Sequence, residues 1–272
     1  MIRMSPRTSK TIEEVTPRGV TPNVTCQFWS GEEWRPETIT VPSEMPLTIF
    51  INGLETVTVL CTPTRRTQLV LGFLYAEGII ESTGDVASLR VCEDEPIADV
   101  KLTRSDFKLP PRRTLTSGCG SGVSFKVEGK RIESDLRATP EEVLSLMKQL
   151  FRQQELFQMG GGIHCSALCD REKILVLTED IGRHNTLDKI MGECLIRKLP
   201  TRDGILLTTG RISSEMLLKA ARMQAPIVAS RGSPTERAIA LGKELNITVI
   251  GYARERRLSV FSAEHRLLPG KG

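Results

Sequence analysis

Aromatic side chains are scarce in this 272-residue chain, at 4%. That leaves little surface on which unpaired bases could stack, so a nucleic-acid partner is not expected. Long apolar runs are missing too. None approaches the roughly 20 residues that span a bilayer, and Met1 to Asn23 lacks the apolar core of a secretory signal. No membrane association is expected, and the protein is expected to be cytoplasmic. No Cys-x-x-Cys pair occurs anywhere, and the seven cysteines (Cys26, Cys61, Cys92, Cys119, Cys165, Cys169, Cys194) are an odd, scattered set. This suits a reducing compartment rather than a disulfide scaffold. The net charge of +4 is mild, so the placement of individual arginines says more than their total.

What is present divides into three parts. Residues 1–23 mix Arg, Lys, Thr, Pro and Glu without periodicity and are expected to be a flexible tail. Residues 24–138 are expected to form a smaller, β-rich N-terminal domain. Within it, 47–51 and 54–60 flank Asn52-Gly53, the signal of a tight hairpin. Residues 67–77 form a largely apolar helix closed by Gly78, and strands are expected near 86–92 and 97–102. A basic stretch from Lys108 to Arg113 leads into a loop whose glycines at 118, 120 and 122 argue against regular structure.

From Thr139 the pattern changes. Thr139-Pro140-Glu141-Glu142 joins an N-cap, a first-turn proline and a capping-box glutamate ahead of apolar residues at helical spacing, predicting a helix to about Gln158. Strands at 173–178, 204–209, 226–230 and 247–252 then alternate with helices at 186–198, 213–224 and 234–245. Residues 139–272 are therefore expected to form an α/β domain with a mainly parallel sheet.

In such a sheet the loops leaving the strand C-termini share one edge, the edge where open α/β folds bind ligands. Here those loops are 179–185, 209–213, 230–234 and 253–257. Each contains an arginine, and three of them open a helix. Free N–H groups at helix starts and guanidinium forks both favour phosphate. A single arginine on a wet loop is ordinary, but four such loops on one edge point to a phosphorylated ligand. Ser233-Pro234-Thr235-Glu236 is itself a capping box, which accounts for those residues without a ligand. His164 and His184 fall near the edge, where each could either position a ligand or bond to backbone. His164, Cys165 and Cys169 offer at most three ligands at a spacing that matches no standard zinc pattern, so no metal site is expected.

Cys119 stands apart from the other cysteines. It lies between two glycines and follows Arg112 and Arg113, so its thiol is sterically open and nearby charge favours the reactive thiolate. It is the natural nucleophile, although a cysteine in a glycine turn can also be incidental.

The segments EDIGRHNTLDKIMG (179–192), TTGRISSEMLLKAA (208–221), ASRGSPTERAIALGKELNITVIGYAR (229–254) and LGFLYAEGII (71–80), with the Ser117-Gly-Cys-Gly120 loop, resemble the FdhD/NarQ family of formate dehydrogenase accessory sulfurtransferases. The resemblance runs from about Met45 to about Phe261. It implies a cytidine-deaminase-like layered α/β fold, a homodimer, and a cysteine persulfide carried on Cys119. A cysteine desulfurase would load that sulfur. The acceptor would be a molybdenum bis(molybdopterin guanine dinucleotide) cofactor destined for formate dehydrogenase, with guanine nucleotide as a surrogate ligand. The cofactor contacts it implies fall on the strand-end loops: Arg183, His184, Gly210, Arg211, and the run Tyr252, Ala253, Arg254, Glu255, Arg256 and Arg257.

One departure matters. Many family members carry Cys-x-x-Cys in the Cys119 loop, and Gly122 occupies the second position here, which puts any two-thiol mechanism in doubt. A single persulfide on Cys119 remains chemically sufficient. The alternative is a non-catalytic chaperone that binds and delivers the molybdenum cofactor. A zinc nucleoside deaminase is set aside, since its His-x-Glu and Pro-Cys-x-x-Cys signatures are absent.

Overall fold

Asn52 and Gly53 both adopt positive φ, 50° and 79°, the two-residue turn whose twist suits an antiparallel hairpin. They join strand β3 (Met45–Ile51) to β4 (Leu54–Cys61), as the sequence predicts. The computed structural model describes residues 18–92, 95–108, 114–115, 123–124 and 129–270. In it the hairpin joins β5 (Val86–Val91) and β6 (Ile97–Leu102) in a four-stranded sheet of order β4-β3-β6-β5. Helix α1 (Arg66–Ala76) covers this sheet, burying Leu69, Val70, Phe73 and Leu74 against Leu47, Ile49 and Val100.

Strands β1 (Val20–Trp29) and β2 (Trp34–Pro42) pair as a separate antiparallel ribbon. The start of β1 corrects the expected tail of 1–23, because Val20 is buried with Leu156 and Ile163 and fixes the chain there. Residues 1–17 lie outside the described residues. Short strands β7 (Thr114–Leu115) and β8 (Val123–Ser124) pair antiparallel. The intervening 116–122, with Cys119 and Gly122, also lies outside the described residues.

Thr139 starts helix α2 (Pro140–Arg152) with the predicted capping box: its hydroxyl accepts the Glu142 N–H, and the Glu142 carboxylate accepts the Thr139 N–H at 2.8 Å. The expected continuation to Gln158 is broken. A separate helix α3 (Glu155–Gly160) begins because the Glu179 carboxylate accepts the N–H groups of Glu155, Leu156 and Phe157, each at 3.0 Å.

The larger sheet has six strands in the order β10-β9-β11-β12-β13-β14. They are β9 (His164–Cys169), β10 (Ile174–Asp180), β11 (Ile205–Thr208), β12 (Ile227–Ser230), β13 (Thr248–Arg254) and β14 (Arg257–Ser262). Only β11–β12 and β12–β13 pair in parallel. The mainly parallel sheet expected from sequence is therefore corrected to a mixed one, because β9 inserts antiparallel between β10 and β11, and β14 returns antiparallel along β13. Strands β10 to β13 still point the same way, so their C-terminal ends do share an edge.

Alternation along the strands gives the sheet two apolar faces. Cys165, Ala167, Ile205, Leu207, Ile227 and Ala229 pack under α2. On the other face, Leu168, Val176, Leu206, Val228 and Val249 pack under α4 (Arg183–Arg197), α5 (Ser214–Arg222) and α6 (Glu236–Leu245). The result is a mixed α/β architecture with helices on both sides of the sheet.

The two sheets meet where α1 crosses α4. A Cβ built on Gly72 would lie 1.7 Å from the Asp188 carbonyl oxygen, and one on Gly192 would lie 1.9 Å from that of Gln68. The helices thus touch backbone to backbone. Replacing Gly72 with Ala is expected to lower stability by about 2–3 kcal/mol, the cost of overpacking a seam that must then separate. A urea unfolding midpoint unchanged from wild type would refute this. Beside the seam, Asp180 and Lys189 form an ion pair at 2.6 Å with neither side chain exposed. Asp180 also accepts the Thr62 N–H at 3.1 Å, and Lys189 donates to the Thr62 carbonyl and the Thr64 hydroxyl.

Candidate functional site

The C-terminal edge of β10 to β13 is built by hydroxyls and glycines before any charge is placed on it. Ser166 lies 2.7 Å from the Thr186 hydroxyl and donates to the Thr208 hydroxyl, tying β9, β11 and α4 together. Thr208 in turn accepts the Gly210 N–H, and Ser230 donates to the Gly210 carbonyl while accepting the Gly232 N–H at 2.8 Å. Ile212 N–H donates to the Ser233 carbonyl, and Tyr252 N–H donates to the Gly232 carbonyl at 3.0 Å. The loops after β11, β12 and β13 are therefore one hydrogen-bonded band.

Four of the predicted residues meet at one end of it. Arg183 opens α4 and is 7% exposed. Its side chain packs on Gly210, where an added Cβ would lie 3.1 Å from the Arg183 Cβ and 3.3 Å from the His164 Nδ1. Arg211 is exposed next to Gly210. His184 Nε2 lies 3.2 Å from the Ser213 hydroxyl and 3.2 Å from a Glu215 carboxylate oxygen. Gly182 gives α4 no side-chain cap, whereas Ser213 caps α5. Two helix starts, a buried guanidinium and a bare backbone at Gly210 make this end suited to an anion.

Both histidines are electrically neutral here. Burial lowers His164, and Arg183 adds to that effect. Burial also lowers His184 to about 3, aided by Lys219, Arg183 and His164. The contact between His184 and Glu215 is therefore a neutral imidazole beside a carboxyl group that burial itself pushes up. Behind them, Lys219 pairs with fully buried Asp188.

Because His184 binds its proton near 6.5 when unfolded and near 3 when folded, acid favours the unfolded chain throughout that window. The loss grows by about 1.4 kcal/mol per pH unit below 6.5 and stops near 3. Raised Glu215 and Asp188 take up protons in the folded state and oppose it. His184→Gln is therefore expected to be less acid-sensitive than wild type between those limits. Parallel plots of unfolding midpoint against pH would refute the assignment.

The other predicted residues lie further along the edge. Arg254, Glu255, Arg256 and Arg257 form the β13–β14 turn, and all four are exposed. Tyr252 holds φ 55° and is 43% exposed, and the strand register slips between Gly251 and Arg254. Ala253 points into the α2-side core and offers only backbone to a ligand. Sequence reasoning missed Lys148 and Phe151 of α2, and left Arg231 unassigned. All three share a cleft with the turn. The signal of Phe151 was hidden, since it falls in the apolar stripe that identified the helix.

The described cysteines near the edge are distinguished by which way their side chains face. His164 lies on the opposite face of β9 from Cys165 and Cys169, which sit under α2 with no exposure. Burial pushes Cys61 and Cys194 up to about 12 and raises Cys165 and Cys169 as well. None of these four is a thiolate at neutral pH, and Cys165 and Cys169 are sealed from solvent in the core under α2. The chain leaving the Cys119 segment is fixed away from the arginine edge: Ile132 N–H donates to the Leu245 carbonyl, and Asn246 donates to the Ile132 carbonyl, at the entry to β13.

The fold is that of a mixed α/β protein in which strands β10 to β13 end at one shared edge. The chain belongs to the FdhD/NarQ family, whose model matches residues 42–268. It is 40% identical over 233 residues to the sulfur carrier protein FdhD of Bacillus subtilis (strain 168), covering 83% of this chain and 89% of that one. It is 39% identical over 233 residues to the protein of the same name from Staphylococcus haemolyticus (strain JCSC1435), covering 83% and 88%. A crystallised chain from Desulfotalea psychrophila, described as a formate dehydrogenase accessory protein, shares the fold with a TM-score of 0.78. That match has 24% identity and covers 93% of this chain and 100% of the other. Among the described residues no helix is long and apolar enough to cross a membrane.

Proposed function

We propose that this protein is a sulfur carrier for formate dehydrogenase, acting as a homodimer. It takes a sulfane sulfur from a cysteine desulfurase onto Cys119 and passes it to a molybdenum bis(molybdopterin guanine dinucleotide) cofactor held at the arginine edge. In the first step the Cys119 thiolate attacks the outer sulfur of the donor persulfide. The S–S bond of the donor breaks, its thiolate leaves, and Cys119 becomes Cys–S–SH. In the second step a nucleophilic centre of the acceptor would attack the outer sulfur, the S–S bond breaks, and Cys119 leaves with the bond electrons as the thiolate while the sulfane sulfur stays on the acceptor. The cycle needs no separate oxidant or reductant, because in each step the attacking nucleophile supplies the electron pair of the new bond to sulfur and the departing thiolate keeps that of the old one. One thiol suffices for this cycle, which fits Gly122.

The observation that carries the reading is the convergence of buried Arg183 and exposed Arg211 on bare Gly210, at the starts of two helices. A guanine dinucleotide arm brings a pyrophosphate, and that edge supplies guanidinium groups and N–H donors for it. Arg211→Ala or Arg254→Ala is expected to weaken guanine-nucleotide binding about tenfold while leaving persulfide loading intact. Unchanged affinity in both variants, measured by titration calorimetry, would sink the assignment.

A further inference from the structure

The chain has two tryptophans, Trp29 and Trp34, and both sit at the tip of the β1–β2 ribbon, paired across the strands as the last residues before the turn. Their ring centres are 5.4 Å apart at 47°, yet the residues remain 48% and 65% exposed. Phe28 beside them is exposed too, with the Arg35 guanidinium 5.0 Å from its ring centre. Large apolar rings are costly to leave in water, and a chain with 4% aromatic residues places three of them at one tip. The ribbon itself has two strands, a size that is marginal in water unless something packs on it.

The turn that joins the tryptophans is Ser30-Gly31-Glu32-Glu33. It is closed by the Ser30 N–H donating to the Glu33 carbonyl at 3.1 Å and by the Ser30 hydroxyl accepting the Glu33 N–H at 3.3 Å. Backbone and serine hold it, which leaves Glu32 and Glu33 exposed with carboxylates the turn does not need. With Glu37 and Arg35 the ribbon carries three carboxylates against one guanidinium, a net −2 in a chain of net +4.

Charge decides what this aromatic tip can receive. Exposed tryptophans stack well on unpaired bases, but Glu32 and Glu33 repel the phosphates that come with them. A second tip is disfavoured for the same reason, since a two-fold contact sets like residue on like and brings four carboxylates together. A lysine or arginine meets neither objection, because an indole face attracts a cation and a carboxylate pairs with it. We infer that the ribbon tip is a docking point for a partner protein, which presents a Lys- or Arg-bearing segment to Trp29, Trp34, Glu32 and Glu33. The tip precedes residues 42–268, the part of the chain that the family model matches, and its role does not depend on the reading of the arginine edge.

Because both tryptophans are at the tip, the intrinsic emission of the full chain reads this site without a label. Titration with an oligoarginine peptide is expected to change that emission saturably, and less so as salt is raised. Oligoglutamate is expected to leave it unchanged. Replacing Glu32 and Glu33 together by Gln is expected to weaken oligoarginine about fivefold, and Trp34→Leu by a similar factor, read from Trp29. The double glutamine variant keeps the aromatic pair and the turn, so its loss of binding cannot come from an unravelled ribbon.

Emission indifferent to oligoarginine overturns the inference, and so does an undiminished response in the double glutamine variant. Emission that changes when the protein alone is diluted assigns the tip to a second copy. Emission shifted by phosphatidylcholine vesicles but not by the peptide assigns it to a lipid surface. Either of these also overturns the basic partner, and guanine-nucleotide affinity, measured on the same variants, is expected to stay at the wild-type value.

Discussion

Cys119→Ala is expected to abolish sulfur loading and the maturation of formate dehydrogenase while guanine-nucleotide affinity stays at the wild-type value. Intact-protein mass spectrometry after incubation with a cysteine desulfurase and cysteine reads the first effect directly. Wild type should gain the mass of sulfur and the variant should not. The effect is all or none because the sulfane sulfur must be held covalently, and buried Cys61, Cys165, Cys169 and Cys194 have thiols that burial keeps protonated. Formate dehydrogenase activity supported equally by Cys119→Ala would overturn sulfur transfer and leave delivery of the cofactor as the function.

The second large effect concerns stability. Lys189→Met is expected to cost about 3–5 kcal/mol, because it strands the Asp180 carboxylate in an interior that excludes water. That carboxylate still accepts N–H bonds from Thr62, Gly182 and the Asn185 side chain, which holds the loss below full desolvation of a charge. Adding Asp180→Asn to Lys189→Met is expected to recover part of the loss, since the double variant buries no lone charge. A double variant no more stable than Lys189→Met, by urea unfolding, would mean that the pair contributes through shape rather than charge.

Which features were legible in the sequence follows from the range of the interactions behind them. Asn52-Gly53 and Thr139 to Glu142 act within a few residues, and both formed as predicted. The break before α3 was invisible because the carboxylate that causes it, Glu179, belongs to a strand beyond the helix. Strand β9 was invisible for a related reason. Its small and sulfur-bearing residues carry no alternating polar pattern when both faces are covered, so no strand was expected there.

The candidate edge was half legible. Loops after successive strands announced Arg183, Arg211 and Arg254, and the common direction of β10 to β13 brings them to one side even though the sheet is mixed. Lys148 gave no such signal, because it meets the β13–β14 turn only after α2 folds across the sheet.

The contact through Gly72 and Gly192 limits how the molecule can move. Most helix pairs slide by letting interposed side chains change rotamer, but here peptide backbone rests on peptide backbone, and any swing would have to lift one helix clear of the other. The four-stranded sheet therefore serves as a fixed bracket for α4 and, through its first turn, for Arg183 and His184.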